Sequence, residues 1–296
     1  MPFAETCISP LFVPGLRPAL VGKAFAAGAD CVILDLEDAV AETDKAAART
    51  AVAGLTLADT HAMVRINPIG SAHFAEDVAA VSKAGATVVM LAKAETGGEL
   101  RHLRTLMPGV EIVALIESAV GLQNAPELLR AGACRLAFGS VDFALDIGAA
   151  HRREALLCAR ARLVHVSRLE GAVGPIDGIC TGFHDLPDVE AEARHAATLG
   201  FTGKLCIHPA QIEAVRTGFC PSKTDMAWAR RVIAVSGAAQ SDGAVNVDGT
   251  MVDRPVRLRA QRILALGEEV IGGKEAPRDS SEGTRSGWES RTDIRL

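Results

Sequence analysis

Eight short apolar runs recur along the chain: CISPLFVP (7–14), DCVILDLED (30–38), HAMVRIN (61–67), TVVMLAK (87–93), EIVALIES (111–118), RLAFGSVD (135–142), PIDGIC (175–180) and GKLCIHP (203–209). They are nearly continuous rather than alternating, which is the pattern of strands covered on both faces. Ala-rich segments separate them, each long enough for one helix. Gly28, Gly85 and Gly132 each precede an Ala at the entry to a run, where a helix must stop before the chain turns into a strand. Eight such units predict an α/β fold with a parallel sheet. Several runs end on residues able to do chemistry: Asp35, Glu37, Asp38, Arg65, Lys93, Glu117, Asp142 and His208. Reactive groups spread over the whole series favour a closed TIM (β/α)8 barrel, which collects them at the carboxyl ends of its strands. An open, doubly wound sheet would gather them at one switch point. No G-x-G-x-x-G follows any run.

Beyond the segment 211–218 the pattern changes. A helix is predicted from 221 to 239, a hairpin over 245–252 with Asp248-Gly249 at its turn, and an amphipathic helix over 255–270. The expected organisation is a barrel domain over 1–220, a small helix–hairpin–helix segment over 221–270, and a polar, disordered tail over 271–296.

Composition narrows the function. The 296 residues carry 31 basic and 36 acidic side chains, a net charge of −5, with no basic stripe for a nucleic-acid partner. Seven scattered cysteines without C-x-x-C spacing argue against a disulfide framework or a thiolate metal site and read as buried thiols in a reducing cytoplasm. No apolar stretch reaches the roughly 18 residues a membrane span needs, and the first residues lack a secretory pattern. A soluble, cytoplasmic protein with no membrane partner is expected.

Glu117 closes one predicted strand and Asp142 follows the next. Neighbouring strands lie about 4.8 Å apart, so these two carboxylates can share a cation, and hard oxygen ligands without His or Cys suit Mg²⁺ better than Zn²⁺. Taken singly, each is as readily a helix cap or a structural ion pair. Arg65 ends the third run, where its guanidinium fork can hold a carboxylate or an enolate oxygen, or pair with Glu37 or Asp38 at the barrel mouth. Lys93 would need to be buried and neutral for Schiff-base chemistry, a less economical reading beside a metal pair.

SPLFVPGLRP, DLEDAV with Lys45 and Arg49 after it, VRIN, ALIES with Gly121 after it, FGSVDFALDIG, GFTGKLCIHPAQI and MVDRP occur in that order over about residues 9–270. Together they resemble the citrate lyase β-subunit-like group of the HpcH/HpaI aldolase family, which includes malyl-CoA and citramalyl-CoA lyases. Cys7 and Ile8 depart from the basic residue common before the Ser, and Ala92 from the usual Pro before Lys93. The resemblance implies Mg²⁺ on Glu117 and Asp142, with Glu37 and Asp38 holding metal-bound waters and Arg65 facing the substrate's carbonyl oxygens. It also implies that 221–270 is a lid bearing a catalytic acid/base, Asp253, laid over a neighbouring barrel in a homotrimer. From the residues alone, Asp253 is as readily a helix cap ahead of Pro255. Arg17 and Lys23 are candidates for the phosphates of CoA, against a solvated helix face. The implied activity is retro-Claisen cleavage of a β-hydroxyacyl-CoA, citramalyl-CoA ahead of malyl-CoA, to acetyl-CoA and an α-keto acid. Alternatives are a citryl-carrier-protein lyase subunit, a malyl-CoA thioesterase, a CoA-independent pyruvate aldolase, and a non-catalytic scaffold subunit.

Overall fold

A computed structural model describes residues 3–238, 245–247 and 250–275. All eight apolar runs contribute a strand: β1 (Leu11–Pro14), β2 (Val32–Asp35), β3 (Ala62–Ile66), β4 (Val88–Leu91), β5 (Glu111–Ile116), β6 (Ala133–Phe138), β7 (Ile176–Asp177) and β8 (Gly203–Lys204). Each pairs in parallel with the next. The ring closes where Phe12 N–H donates to the Cys206 carbonyl and Cys206 N–H to that of Pro10, both at 2.9 Å. The result is the expected TIM-barrel-like α/β fold, with helices between the strands.

The strands are shorter than the runs that predict them. Polar run-ends leave the ladder to form the loops at the carboxyl mouth, and β7 and β8 keep only two residues each. After β7 the chain must pass beside Ser140: a Cβ on Gly178 would lie 3.0 Å from the Phe138 carbonyl and closer still to the Ser140 side chain. Asp142 likewise lies past the end of β6, in the first turn of the short helix Ser140–Asp146.

Side chains fill the barrel in layers. Cys31, Ile33, Met63, Met90, Val113, Leu115, Ala137, Ile176 and Leu205 form one buried cluster inside the ring, while the outward residues pack on the helices as a second, larger one. The period of two along each strand then decides what stands at the carboxyl mouth. Inward Ile33 is followed two residues on by Asp35, Met63 by Arg65, and Leu115 by Glu117. At the other mouth, the helix Phe3–Thr6 contributes Ala4 to the interior cluster, which Cys7 joins.

The chain divides into two compact units, Met1–Phe219 and Cys220–Leu296. In the second, the helices Lys223–Ala238 and Arg254–Glu275 accompany a hairpin that pairs Val245–Val247 with Thr250–Val252. A small core of Ala229, Val232, Val252 and Ala260 lies within this unit. The last helix runs past the expected end at 270 to Glu275. The Asp248-Gly249 turn and the expected disorder over 276–296 lie outside the described residues. No helix among the described residues is long and apolar enough to cross a membrane.

Candidate active site

Register assembles the site. Asp35 of β2 stands opposite Arg65 of β3 in the ladder. The guanidinium grips that carboxylate at both ends, Nε to Oδ1 at 2.7 Å and Nη2 to Oδ2 at 2.6 Å. The same carboxylate accepts the N–H groups of Glu37 and Ala39, each at 2.9 Å, and so bends DLEDA into a loop over the mouth. Lys45 holds that loop from below, its ammonium donating to the carbonyls of Leu36 and Glu37 and to Asn67 Oδ1. With Nε and Nη2 engaged, and the Phe12 ring 4.8 Å beneath its Cζ, Arg65 presents Nη1. That nitrogen lies 3.0 Å from Glu37, 3.8 Å from Asp38 and 4.0 Å from Glu117.

Glu117 follows directly on β5 and is buried to within 3%. Ile116 is in register with Phe138, so Gly139, the residue that follows β6, lies against the Glu117 side chain. A Cβ there would sit 2.7 Å from Oε1. Ser118 then caps the helix Ala119–Arg130 by accepting the Gly121 N–H at 3.1 Å. From β4, the Lys93 N–H donates to Glu117 Oε2 at 2.7 Å, in the left-handed region at φ 48°. A non-glycine residue held there is strained, and here the strain lies at the site itself. The Lys93 ammonium bonds Glu37. Burial works against its charge, but the carboxylates of Glu37, Glu117 and Asp38 prevail and raise its pKa. A charged amine is no Schiff-base nucleophile.

Oxygens of Asp38, Glu117 and Asp142 lie within 4.8 Å of one another. The sequence reading set Asp38 behind the pair with Glu37; the structure draws Asp38 into the group and turns Glu37 toward Arg65 and Lys93. Burial pushes the Glu117 carboxyl up to about 8, and the Glu37 charge adds to it, against the pull of Arg65 and Lys93. These carboxylates are short of positive charge. A hard divalent cation fits that deficit and the all-oxygen donor set, with Asp38, Glu117 and Asp142 to hold it.

The other candidates lie elsewhere. Arg17 and Lys23 are exposed in the turn and helix after β1, with no ion pair among the described residues. Asp253 is in the second unit, where its Oδ1 accepts the Val256 N–H at 3.2 Å at the start of the last helix. Its capping role is thus present in the structure. His208 Nδ1 accepts the Ala210 N–H at 3.2 Å and stacks on Phe183, 4.8 Å between centroids. Asp185 caps the helix Leu186–Leu199. Sequence reasoning placed Asp35 among the polar run-ends without giving it a role, and passed over Gly139. The first was visible as a third acid in DLED, but its role depends on strand register.

Residues 9–209 match the family model of the HpcH/HpaI aldolase/citrate lyase family. A citrate lyase subunit beta-like protein of Mycobacterium tuberculosis is 38% identical over 261 residues, covering 86% of this chain and 93% of its own. A (3S)-malyl-CoA thioesterase of Cereibacter sphaeroides is 31% identical over 276 residues, covering 88% and 95%. The crystal structure of M. tuberculosis CitE in complex with magnesium, acetoacetate and coenzyme A superposes with a TM-score of 0.81 at 36% identity, covering 88% of this chain and 98% of that one. The chain belongs to the HpcH/HpaI aldolase/citrate lyase family.

Two outcomes follow from the packing around Glu117. Gly139→Ala forces the carboxylate aside; it should lower stability by about 1–3 kcal/mol in denaturant unfolding and weaken Mg²⁺ binding in calorimetry. The second concerns pH. The folded-state pKa of Glu117, about 8, lies above its unfolded value, so the folded chain holds the proton more tightly. That contribution is complete below the ordinary carboxylate range and is lost as pH rises through about 8. In chelator-treated protein the melting temperature should fall between about pH 5 and 8, and Glu117→Gln should flatten the fall.

Proposed function

We propose that this protein is a Mg²⁺-dependent carbon–carbon lyase that cleaves a β-hydroxyacyl-CoA, citramalyl-CoA ahead of malyl-CoA, to acetyl-CoA and an α-keto acid. The observation that carries the reading is the juxtaposition of the Asp38, Glu117 and Asp142 oxygens with the Nη1 edge of Arg65, which faces Glu37 and Glu117. A CitE structure with magnesium, acetoacetate and coenzyme A supports it from outside.

Asp38, Glu117 and Asp142 hold the cation. When bound, Mg²⁺ would supply Lewis-acid polarisation of the substrate's carboxylate and hydroxyl. Arg65, clamped by Asp35, donates Nη1–H to the thioester oxygen as enolate charge grows on it during C–C cleavage. A donor fixed in advance stabilises that charge without reorganising. Glu37 and Lys93 hold each other and orient water at the mouth. Asp253 is the acid that protonates the released enolate carbon and, in the condensing direction, the base that takes the proton back. Arg17 and Lys23 meet the CoA phosphates. The assembly is a homotrimer whose lid serves a neighbouring barrel.

A second reading, thioester hydrolysis, draws on the malyl-CoA thioesterase relative. One assay separates them: Mg²⁺ with citramalyl-CoA or malyl-CoA, following acetyl-CoA and keto acid against free CoA and hydroxy acid. Lyase products are expected; free CoA with the intact hydroxy acid would establish the second reading instead. In the same assay Arg65→Lys should lower kcat by about 100-fold or more, because lysine cannot keep the Asp35 clamp and still present a donor. Asp253→Asn should stop exchange of acetyl-CoA methyl protons with deuterated water while Mg²⁺ binding stays at the parent value. Exchange at the parent rate would remove Asp253 from the mechanism.

A further inference from the structure

A cavity of about 310 Å³ lies outside the ring, between the ends of β7 and β8 and the helices Arg153–Leu169 and Leu186–Leu199. Strand alternation places it there. Ile176 and Leu205 point into the barrel interior, so their neighbours Asp177 and Lys204 point out toward the helices. Both line the cavity, as does Arg160, whereas Asp38, Glu117 and Asp142 do not. The site is therefore separate from the carboxyl mouth and does not rest on the lyase reading.

Its floor carries two cations and one acid, each 3% exposed: Arg160, Lys204 and Asp177. Arg160 donates Nε to Asp177 Oδ1 at 3.0 Å and Nη2 to Oδ2 at 2.9 Å, and its Nη1 faces His195 Nδ1 at 3.0 Å. The guanidinium is thus fully engaged. Lys204 is not. Among the described residues its ammonium has one acceptor, Asp177 Oδ2 at 2.8 Å, for three hydrogens. Burial works against its charge, but Asp177 prevails and raises its pKa. One buried positive charge is left without an answer, and such a charge is costly.

The rim carries the opposite excess. Arg152 and Asp188 contribute one charge of each sign, while Arg153 Nε, 3.3 Å from Glu154 and 3.4 Å from Glu192, serves two acids. Depth decides between rim and floor: Glu154 stands in water, which screens it, and the floor does not. On the wall the Ser140 hydroxyl bonds His151 Nε2 at 2.9 Å. The helix Arg153–Leu169 begins at this rim with no side chain capping it, which adds the positive end of its dipole. We propose that the cavity binds a small organic anion whose carboxylate or phosphate group pairs with Lys204 at the floor, with the Ser140 hydroxyl as a second polar contact. The volume lies at the lower end of small-molecule sites, about 300–1,000 Å³.

The test is calorimetry on the chelator-treated full-length protein, with malonate and inorganic phosphate as probes. At least one should bind saturably. Lys204→Met should weaken that binding by about tenfold or more, because it removes a charge-assisted hydrogen bond while Arg160 still answers Asp177. Thr181→Trp, at the exposed rim, should also weaken it, and leaves the buried charges in place. Arg65→Ala, at the carboxyl mouth, should bind the probes as the parent does. Malonate ahead of phosphate would mark the ligand as a carboxylate, and the reverse order as a phosphate ester. No saturable binding of either probe, full binding in Thr181→Trp, or loss of binding in Arg65→Ala would overturn the site.

Discussion

Five carboxylates (Asp35, Glu37, Asp38, Glu117 and Asp142) crowd the carboxyl mouth around two cations, Arg65 and Lys93, and the arrangement there depends on how that charge is balanced. Asp35 is answered by a two-point clamp from Arg65, and Glu37 by the Lys93 ammonium and Arg65 Nη1. Clamping turns the guanidinium into a fixed piece of the wall and leaves its third nitrogen facing the remaining acids. Those acids share what is left. Burial and the Glu37 charge push the carboxyl of Glu117, the most enclosed of the unanswered ones, up to about 8. Where a protein buries more negative charge than its own cations neutralise, a divalent cation is the natural complement.

The surroundings keep the arrangement from relaxing. Glu117 has room only because Gly139 has no Cβ, and the strained Lys93 backbone aims its N–H at the carboxylate. Lys45 and Asn67 secure the DLED loop from its own side; Asn67 donates to the Leu36 carbonyl at 2.9 Å and to Asp77 at 2.6 Å. Relaxing any one of these contacts would let a carboxylate swing out toward water, where the charge imbalance costs little. The stiffness around the site is therefore part of its chemistry.

Much of this was legible in the chain. Near-continuous apolar runs with Gly-terminated helices between them predict eight parallel strands, and period-two alternation carries Arg65 and Glu117 from an apolar interior to the mouth. What the chain did not disclose depends on contacts between strands. Asp35 meets Arg65 because β2 and β3 pair in a particular register, and Gly139 matters because β5 and β6 do. The roles of Glu37 and Asp38, adjacent and chemically alike, were separated only by which way each turns in the loop. Outside the ring, nothing in the sequence links Lys204 to Asp177; the pairing of β7 with β8 brings them together.

The central claim is that the unanswered carboxylates form one cation site. The direct measurement is anomalous diffraction from crystals soaked in Mn²⁺, which takes the same hard oxygen ligands as Mg²⁺. A single strong peak is expected in contact with carboxylate oxygens of Asp38, Glu117 and Asp142. A map with no peak there, or one whose peak lies at other residues while these three keep their contacts, would contradict the account.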